Sequence, residues 1–562
     1  MTTEQPQVPS DPTETDLDVA EAEAFTTEAG GRRLLRSSAV VGAGTALSRV
    51  TGMLRVGAIA FALGATATAD TFNIANMAPA IVYELILGGV LSATLVPVFV
   101  EHLDDGNDDA ASAVTTVAMA GLAILAVVGV LAAPLIMRLL GLLADDELRS
   151  DQLALGTSLL RLLIPQVVFF GFVALASAIL NARRRFAAPA FVPVLNNIVV
   201  IAAFLTVASL AGDDVGLDRV RNDTGLILLM GIGTTAGIAA MAGALYPALR
   251  SAGVRLRILF TLRNPAVRKV ARLSGWTFGY VLANQAAFLV VLILAFSREG
   301  EVSAYQYAFI FFQLPHGLFS VSIMTAITPE FARSATRRDW SDLRDRFSYG
   351  MRLMGFLVLP TSVGFLVITR TVDAGALAFG ELSGSSAALT AQTLSYFAIG
   401  MFAFSAYLYS LRVFYAMQDT RTPFFLNGGE NLLNIALALA LFPSMGVRGL
   451  ALAWSVSYWI ATAATLVVLR RRLGRLDGGR VLRSLGRMLI GCAVLAVVVW
   501  AVLAGLGTDG QARAVAVVGL GIVAGAAAYF AVMAALRAEE TGGLRSLVAR
   551  RSARPREIPT DG

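Results

Sequence analysis

Long apolar runs recur along nearly all of the 562 residues, and they constrain the fold more than any other feature. A helix needs about 20 mostly apolar residues to cross a bilayer core of about 30 Å. About fourteen such runs, separated by polar breaks, are each predicted to form one spanning helix. The predicted spans are 34–63, 72–99, 111–143, 154–181, 190–211, 224–249, 267–296, 303–332, 348–370, 388–416, 423–443, 446–469, 481–506 and 512–537.

The composition narrows both the fold class and the function. Charged residues make up only 15% of the chain and the mean hydropathy is +0.69, which indicates an all-α polytopic membrane protein. One cysteine, Cys492, and two histidines, His102 and His316, are too few for a zinc or haem site or a Cys-His nucleophile pair. The chain has no Walker A phosphate-binding motif. We therefore expect no metal, no cofactor and no enzymatic activity.

Charge alternates from one loop to the next. Arg32, Arg33 and Arg36 precede the first span, and every second loop after it is basic, except a short acidic one near Asp104 and Asp108. The other basic loops carry arginines at 183–185, 250–272, 333–346, 421 and 470–487. Because positive loops stay in the cytoplasm, both termini are predicted to be cytoplasmic. The arginines then face anionic headgroups, so membrane lipids rather than nucleic acid are the expected partners.

Two motifs of the first half return in the second. Residues 87–99 resemble 318–331 with one residue inserted, and the offset from Pro189 to Asn197 equals that from Pro423 to Asn431. Both matches indicate a repeat of six spans, and hence two parallel halves, which is a transporter architecture. The predicted units are a disordered acidic cytoplasmic tail at 1–33, an N-lobe at 34–250, a C-lobe at 251–472, two further helices at 473–537 and a basic cytoplasmic tail at 538–562.

Two arginines, Arg49 and Arg55, lie well inside the first span, where a charge costs at least about 2.5–3.5 kcal/mol. Six residues apart on a helix, they differ by about 9 Å in height and roughly 120° in azimuth, so they can line two sides of one cavity. One hypothesis is an anion site, because guanidinium groups suit phosphate and pyrophosphate. The alternatives are snorkelling from a long helix and pairing with Asp70 or Glu84.

Two carboxylates belong to the second span. Asp70 opens it, and either caps this helix or takes part in function. Glu84 lies deeper, and is either a partner for one of the two arginines or a group that binds and releases a proton.

Five further polar residues lie in the seventh and eleventh spans: Asn284, Asn427, Glu430, Asn431 and Asn434. Glu430 and Asn434 are four residues apart and share a helix face. A carboxylate with amide oxygens is suited to bind Na⁺ or pass H⁺. Such residues also join neighbouring helices by hydrogen bonds, and the sequence leaves both hypotheses open.

Three prolines interrupt predicted spans and are candidate hinge points: Pro165, Pro315 and Pro360. His316 follows the second of them, and we expect it to be a packing residue.

Four motifs form a recognisable set: Ser48-Arg-Val-x-Gly52-x-x-Arg55, Asp70-x-Phe72, Leu180-Asn-x-x-x-Arg185-Phe-x-x-Pro189-Ala-Phe-x-Pro193 and Phe414-Tyr-Ala-x-Gln418-Asp-Thr-x-Thr-Pro423. The set resembles the MurJ/MviN family, the bacterial lipid II flippases of the multidrug/oligosaccharidyl-lipid/polysaccharide exporter superfamily. The resemblance implies two six-helix lobes around a central cavity and a lipid-tail groove formed with the last two helices. It also implies that Arg49, Arg55 and Asp70 are important for flipping.

The chain departs from the family pattern at two places. Well-studied members carry an arginine pair where this chain has Tyr83 and Glu84, and an arginine in the eighth span where it has Phe309 and Ile310. The resemblance therefore implies a less cationic cavity here, in which Glu84 neutralises part of the remaining charge. The arginine-rich composition and residues 314–317 look like actinobacterial members.

The resemblance implies a flippase that moves lipid II, the undecaprenyl-pyrophosphate-linked peptidoglycan precursor, across a bacterial cytoplasmic membrane by alternating access. Cell-wall synthesis proteins are further expected partners. Membrane potential, with H⁺ or Na⁺, is the expected driving force. The alternatives are a related exporter of another polyprenyl-linked glycan or of drugs, a lipid-linked glycosyltransferase, and a scaffold for cell-wall enzymes.

Overall fold

The computed structural model describes residues 28–84, 108–144, 146–183, 185–212, 214–254, 256–261, 281–372, 382, 384–474, 476–508 and 510–541. Helices of the first half are α1 Glu28–Leu63, α2 Ala67–Tyr83, α3 Asp108–Leu140, α4 Asp146–Leu163, α5 Gln166–Ala182, α6 Ala187–Ala211, α7 Leu217–Asn222 and α8 Thr224–Ser251. The second half contains α9 Val281–Ala295, α10 Glu301–Pro315, α11 Val321–Thr336, α12 Trp340–Thr371, α13 Gly384–Ala416, α14 Arg421–Met445, α15 Val447–Leu473, α16 Gly478–Leu506 and α17 Gln511–Ala535.

The predicted all-α membrane fold is confirmed. Within the described residues, 12 helical segments are long and apolar enough to cross a membrane, and each coincides with a predicted span. The second and seventh predicted spans are described only in part, as α2 and α9, so the count of fourteen stays a prediction. The motif at 87–99, residues 1–27 of the acidic tail and residues 542–562 of the basic tail lie outside the described residues.

The three prolines have three different effects on their helices. Pro165 separates α4 from α5, and Pro315 is followed by a π-helical turn, His316–Ser320. Pro360 does not end its helix, because α12 continues to Thr371. A proline has no N–H to donate to the carbonyl four residues earlier, here that of Phe356. The Tyr529 hydroxyl of α17 donates to that carbonyl at 2.9 Å, so Pro360 creates a docking point for the last helix.

A buried ion network also attaches the last two helices to α12. Arg352 of α12 donates to Glu540 Oε1 at 3.0 Å and to Glu539 Oε2 at 2.8 Å, just beyond the end of α17. Ser484 of α16 donates to the same Glu540 oxygen at 2.7 Å. Arg352 and Glu540 are each at most 7% exposed, whereas the additional pair of Arg480 with Glu539 is half exposed. The network joins the chain's last two helices to α12, which lies more than 100 residues earlier in the sequence.

The helices of the fifth and eleventh predicted spans, α6 and α14, occupy equivalent places in the two halves. Pro189 and Pro423 are each the third residue of their helix. Asn197 of α6 then contacts α1, the first helix of the N-lobe, and Asn431 of α14 contacts α9, the first helix of the C-lobe. The geometry therefore agrees with the sequence repeat at this pair of positions.

Replacing Arg352 with alanine is expected to destabilise the protein by about 3–5 kcal/mol, because the Glu540 carboxylate would stay buried without its partner. Arg480→Ala removes an exposed partner of the same cluster and should cost less than about 1 kcal/mol. Thermal unfolding in detergent measures both variants. Equal losses would contradict the assignment of Arg352 as the buried centre of the network.

Candidate functional site

Arg49 of α1 lies in the contact region between the lobes, beside Gly317 of the C-lobe, and Arg55 follows six residues later on the same helix. Arg49 and Arg55 are both half-buried. Among the described residues, neither guanidinium forms an ion pair or a hydrogen bond, and Asp70 and Glu84 do not approach them as partners. The hypothesis that they are neutralised by these two carboxylates is therefore wrong for this conformation. In the part of the chain that the structure describes, both guanidinium groups are thus left without a counter-charge.

Asn197 of α6 fixes the part of α1 that carries these arginines. Its Nδ2 donates to the Ser48 carbonyl at 3.2 Å and to Thr51 Oγ1 at 2.9 Å. Because both acceptors are within three residues of Arg49, the helix cannot rotate about its axis without breaking these bonds. The amide thus holds the azimuth at which Arg49 meets Gly317 of the C-lobe, and with it the azimuth of Arg55 on the same helix.

Apolar packing replaces charge at the positions where the chain departs from the family pattern. Tyr83, the last residue of α2, packs against Phe170 of α5 with ring centroids 5.5 Å apart. Ile310 of α10 packs with Val56 and Ala60 of α1 in a cluster between the lobes. The next residue after Tyr83 is Glu84, whose side chain is exposed. A proton-exchanging role for Glu84 stays a prediction.

Asp70 does not cap its own helix. Helix α2 begins at Ala67 with Thr66 as its cap, and the Thr66 hydroxyl accepts from Ala69 N at 3.3 Å. The Asp70 carboxylate instead caps α10 of the other lobe. It accepts from Gly300 N at 2.6 Å, from Ser303 N at 2.8 Å and from the Ser303 hydroxyl at 2.6 Å. Asp70 is therefore a helix cap, as one of the two hypotheses held, but the helix that it caps is α10 and not α2.

A second carboxylate, this one from the C-lobe, caps a helix of the N-lobe. Glu299, which precedes α10, accepts from Ala67 N at the start of α2 at 3.1 Å. We call the pair of interactions made by Asp70 and Glu299 the reciprocal caps. Each lobe thus provides a carboxylate for the exposed N–H groups, and the positive dipole end, of a helix in the other lobe. Nothing in the local sequence of Glu299 indicated this role, because its partner lies 232 residues away.

Two more hydrogen bonds extend the contact between the lobes. The Tyr307 hydroxyl donates to the Gly64 carbonyl at 2.9 Å, and Asn73 Nδ2 donates to the Ser303 hydroxyl at 3.0 Å. Gly300 has a φ of +79°, and a side chain there would collide with the Ala65 carbonyl, since a Cβ would lie 2.6 Å from its oxygen. The lobes are therefore in direct backbone contact at this end.

The predicted polar cluster of α9 and α14 divides into two parts. In the first, Asn427 and Asn431 both donate to Asn284 Oδ1, at 2.8 and 2.6 Å. These amides satisfy one another, which is how polar residues join helices. In the second, Glu430 and Asn434 are buried, and the described residues provide no hydrogen-bond partner for Glu430 Oε1 or Asn434 Oδ1. Two unpaired oxygens on one helix face could accept a cation.

The last of the four motifs forms the turn between α13 and α14. Asp419 N donates to the Phe414 carbonyl at 2.9 Å, which closes α13, and Asp419 Oδ1 accepts from Thr422 N at 3.0 Å, which opens α14. Partial burial on its own would raise the pKa of Asp419, but the bonds from Thr422 and the adjacent Arg472 guanidinium lower it overall. The equivalent N-lobe turn has the same five-residue closure, from Arg185 N to the Leu180 carbonyl at 2.8 Å. These motif residues are structural.

Comparison with known proteins places this arrangement in a family. The sequence profile of the family described as "Lipid II flippase MurJ" matches residues 59–550. The chain belongs to the MurJ family. A curated relative from Rhizobium tropici, "Probable lipid II flippase MurJ", is 27% identical over 537 residues, covering 93% of this chain and 98% of its own. The "Lipid II flippase MurJ" of Burkholderia cenocepacia is 26% identical, covering 78% and 84%.

Solved structures agree with a MurJ-type fold. The structure titled "Lipid II flippase MurJ, inward closed conformation" has a TM-score of 0.72 and 21% identity, and covers 90% of this chain and 99% of its own. An inward-facing MATE transporter of the MOP superfamily has a TM-score of 0.62 and 13% identity, and covers 76% and 96%. The chain is thus a multi-pass membrane protein with the transporter fold of the MurJ family.

Asp70→Asn is expected to loosen the contact between the lobes, because the Nδ2 group would face N–H donors. Hydrogen bonds to a charged acceptor are worth about 1.5–3 kcal/mol each. Losing one of these hydrogen bonds should raise the fraction of molecules whose lobes are separated at this end about tenfold or more. The measurement is the labelling rate of a cysteine at Ala65, beside Gly300, by an impermeant maleimide in a Cys492→Ala background.

The matched control is Asp223→Asn. Asp223 caps α8 within its own lobe, accepting from Leu226 N at 3.1 Å, so its loss should leave the labelling rate unchanged. If Asp70→Asn labelled no faster than this control, Asp70 would not hold the lobes together.

Proposed function

We propose that the chain is a lipid II flippase, which carries the undecaprenyl-pyrophosphate-linked peptidoglycan precursor from the inner to the outer leaflet of the bacterial cytoplasmic membrane. The observation that carries the proposal is the pair of half-buried arginines on α1, which have no ion-pair or hydrogen-bond partner among the described residues, in a chain of the MurJ family. The polar headgroup cannot cross hydrocarbon unaided, since its hydrogen-bonding groups would be unsatisfied there. The chain supplies a polar path and catalyses no covalent step.

Arg49 and Arg55 would bind the pyrophosphate. Each guanidinium offers paired N–H donors that match phosphate oxygens, and the low dielectric of a membrane cavity strengthens such bonds. The arginines differ in height along α1, so the two phosphates can be held one above the other while the sugar-peptide part fills the space between the lobes.

The distribution of arginine between loops supports cytoplasmic termini, as predicted from the sequence. The reciprocal caps of Asp70 and Glu299 would then close the outer side of the cavity. Opening that side would expose the N–H groups of α2 and α10 to water, which replaces the lost bonds. Such a contact can break and form repeatedly, as alternating access requires.

The last two helices would guide the polyprenyl tail. A groove of about 400 Å³ lies between α12 and α16 and is lined mainly by apolar side chains, among them Leu366, Val367, Val497 and Trp500. An isoprenoid chain left in the lipid phase could lie along this surface while the headgroup moves. Cell-wall synthesis proteins remain proposed partners.

Membrane potential supplies about 2.3 kcal/mol per charge per 100 mV, and an ion would add to it. The unpaired oxygens of Glu430 and Asn434 are the proposed binding site for H⁺ or Na⁺. The exporter alternative, for drugs or another glycan, is not favoured, because the matched family and its curated relatives are described as lipid II flippases.

Replacing Arg49 or Arg55 with alanine is expected to reduce lipid II flipping at least about tenfold, because each removes a charge-assisted bond to pyrophosphate. Arg49→Lys should retain part of the activity, since a lysine keeps the charge without the planar fork. Cells depleted of the native protein and rescued with each variant are assayed for exposure of labelled lipid II to an outside-acting degrading enzyme.

The control for this assay is Arg483→Ala, which removes an exposed arginine of α16 away from the lobe contact. Membrane levels of all variants are compared. Full rescue by both alanine variants would show that these arginines are not the pyrophosphate site. An unchanged lipid II distribution on depletion would contradict the flippase proposal itself.

Glu430→Gln is expected to abolish stimulation of flipping by an ion gradient while leaving basal flipping, because the amide can neither lose a proton nor neutralise Na⁺. Proteoliposomes with an imposed H⁺ or Na⁺ gradient measure this, with Glu147→Gln as a control at an exposed carboxylate in the first turn of α4. A wild-type protein indifferent to both gradients would contradict ion coupling at this site.

A further inference from the structure

The Glu301–Thr336 span is broken near its middle by the π-turn, His316–Ser320. The turn is closed by Val321 N, which donates to the His316 carbonyl five residues earlier. Pro315 immediately precedes it and disturbs the regular α-helical pattern. Single π-turns inside α-helices occur frequently at functional sites, since they shift the faces that the flanking helices present.

Gly317 of the π-turn is in contact with Arg49 of the N-lobe. A Cβ at Gly317 would collide with the Arg49 guanidinium, whose Nη2 would lie only 2.8 Å away. Any residue larger than glycine would therefore displace this guanidinium or separate the helices. Because Arg49 has no carboxylate partner among the described residues, its packing on the Gly317 backbone is its closest recorded contact with the C-lobe.

Hydrogen bonds hold the other side of the π-turn to the C-lobe. His316 Nδ1 lies 2.9 Å from Ser405 Oγ of α13, and the Ser320 hydroxyl donates to the same Ser405 oxygen at 2.9 Å. The His316 ring also packs against Phe404, with centroids 4.6 Å apart. All three polar residues are buried. The face of the π-turn opposite Arg49 is thus held against α13 of the C-lobe.

We propose that the π-turn is a binding surface for the Arg49 guanidinium, which closes the contact between α1 and the C-lobe while the cavity is empty. We further propose that a lipid-linked pyrophosphate opens this contact by taking Arg49 away from Gly317; this second part rests on the proposed function. A guanidinium on a glycine backbone has no opposite charge to bind, whereas phosphate oxygens offer charge-assisted bonds. The ligand therefore prefers the state in which Arg49 has left the π-turn, and this differential affinity shifts the equilibrium.

The contact is tested with Gly317→Ala and no substrate. Alanine favours helices over glycine, so any loss of closure comes from the collision and not from helix propensity. Spin labels at Ser251 of α8 and Thr336 of α11, in a Cys492→Ala background, report the distance between the lobes in lipid nanodiscs. Gly317→Ala should move the main population to longer distances, and adding Arg49→Ala should not lengthen them further, because both changes remove the same contact.

Gly364→Ala is the matched control, since a Cβ there has no atom within 4 Å, and it should not change the distances. The proposal is overturned if Gly317→Ala leaves the distances unchanged, or if the double variant is more open than the single one. The second outcome would mean that Arg49 closes the lobes through another contact.

Addition of undecaprenyl pyrophosphate to the wild type tests the release step. The lobes should separate, and the Arg49→Ala variant should show no further separation. If the glycine variants behave as expected while this lipid has no effect, the Arg49 contact stands and its release by pyrophosphate is refuted. Failure of lipid II flipping in cells, by contrast, would refute lipid II as the proposed substrate. It would leave the spin-label distances, and the conclusion about the Arg49 contact, unchanged.

Discussion

Gly300, the residue that precedes α10, has no side chain with which to cap this helix, and the rest of the interface between the lobes depends on this. The first N–H groups of α10 therefore need an acceptor from elsewhere. Asp70 supplies it from the N-lobe, and Glu299 supplies the matching acceptor to α2. Since a buried unsatisfied group costs about 1–3 kcal/mol, the lobes are stable at this end either in contact or separated by water. A gap between the lobes that is too narrow to admit water would leave these N–H groups unsatisfied. The closed and the water-filled open arrangements are therefore favoured over intermediate ones.

The intramembrane arginines fall into two physical classes. Arg352 is buried and bonded to two carboxylates, and it holds the last helices against α12. Arg49 and Arg55 are half-buried and without a partner among the described residues, in a place where both lobes could contribute to a cavity. A structural arginine in a membrane protein needs a permanent counter-charge, since desolvation alone costs several kcal/mol. Arg49 instead lies against the Gly317 backbone, and the proposed anion would supply the counter-charge that the described residues do not.

The sequence predicted the helices well, because a membrane span requires a long apolar run whatever its neighbours are. It also singled out Arg49, Arg55 and the polar residues of α9 and α14, whose positions in apolar sequence are unusual in themselves, but it left open whether the arginines are paired. It could not predict what Asp70 binds, because Gly300 and Ser303 lie more than 200 residues away. Pro360 shows the same limit: its effect on the helix is local, but the hydroxyl that replaces the lost bond belongs to Tyr529.

The equivalent positions of Asn197 and Asn431 have a consequence for the origin of the chain. Asn197 joins α6 to α1, and Asn431 joins α14 to α9, so each links the fifth span of its half to the first span. Asn197 holds the helix that carries the arginines, whereas Asn431 belongs to the polar cluster of the C-lobe. Halves that repeat every six spans have the same orientation in the membrane. An ancestor of half the length could therefore have paired with a second copy of itself without either copy inserting upside down. After duplication and fusion, each half would have been free to specialise, one towards the proposed anion site and the other towards the proposed cation site.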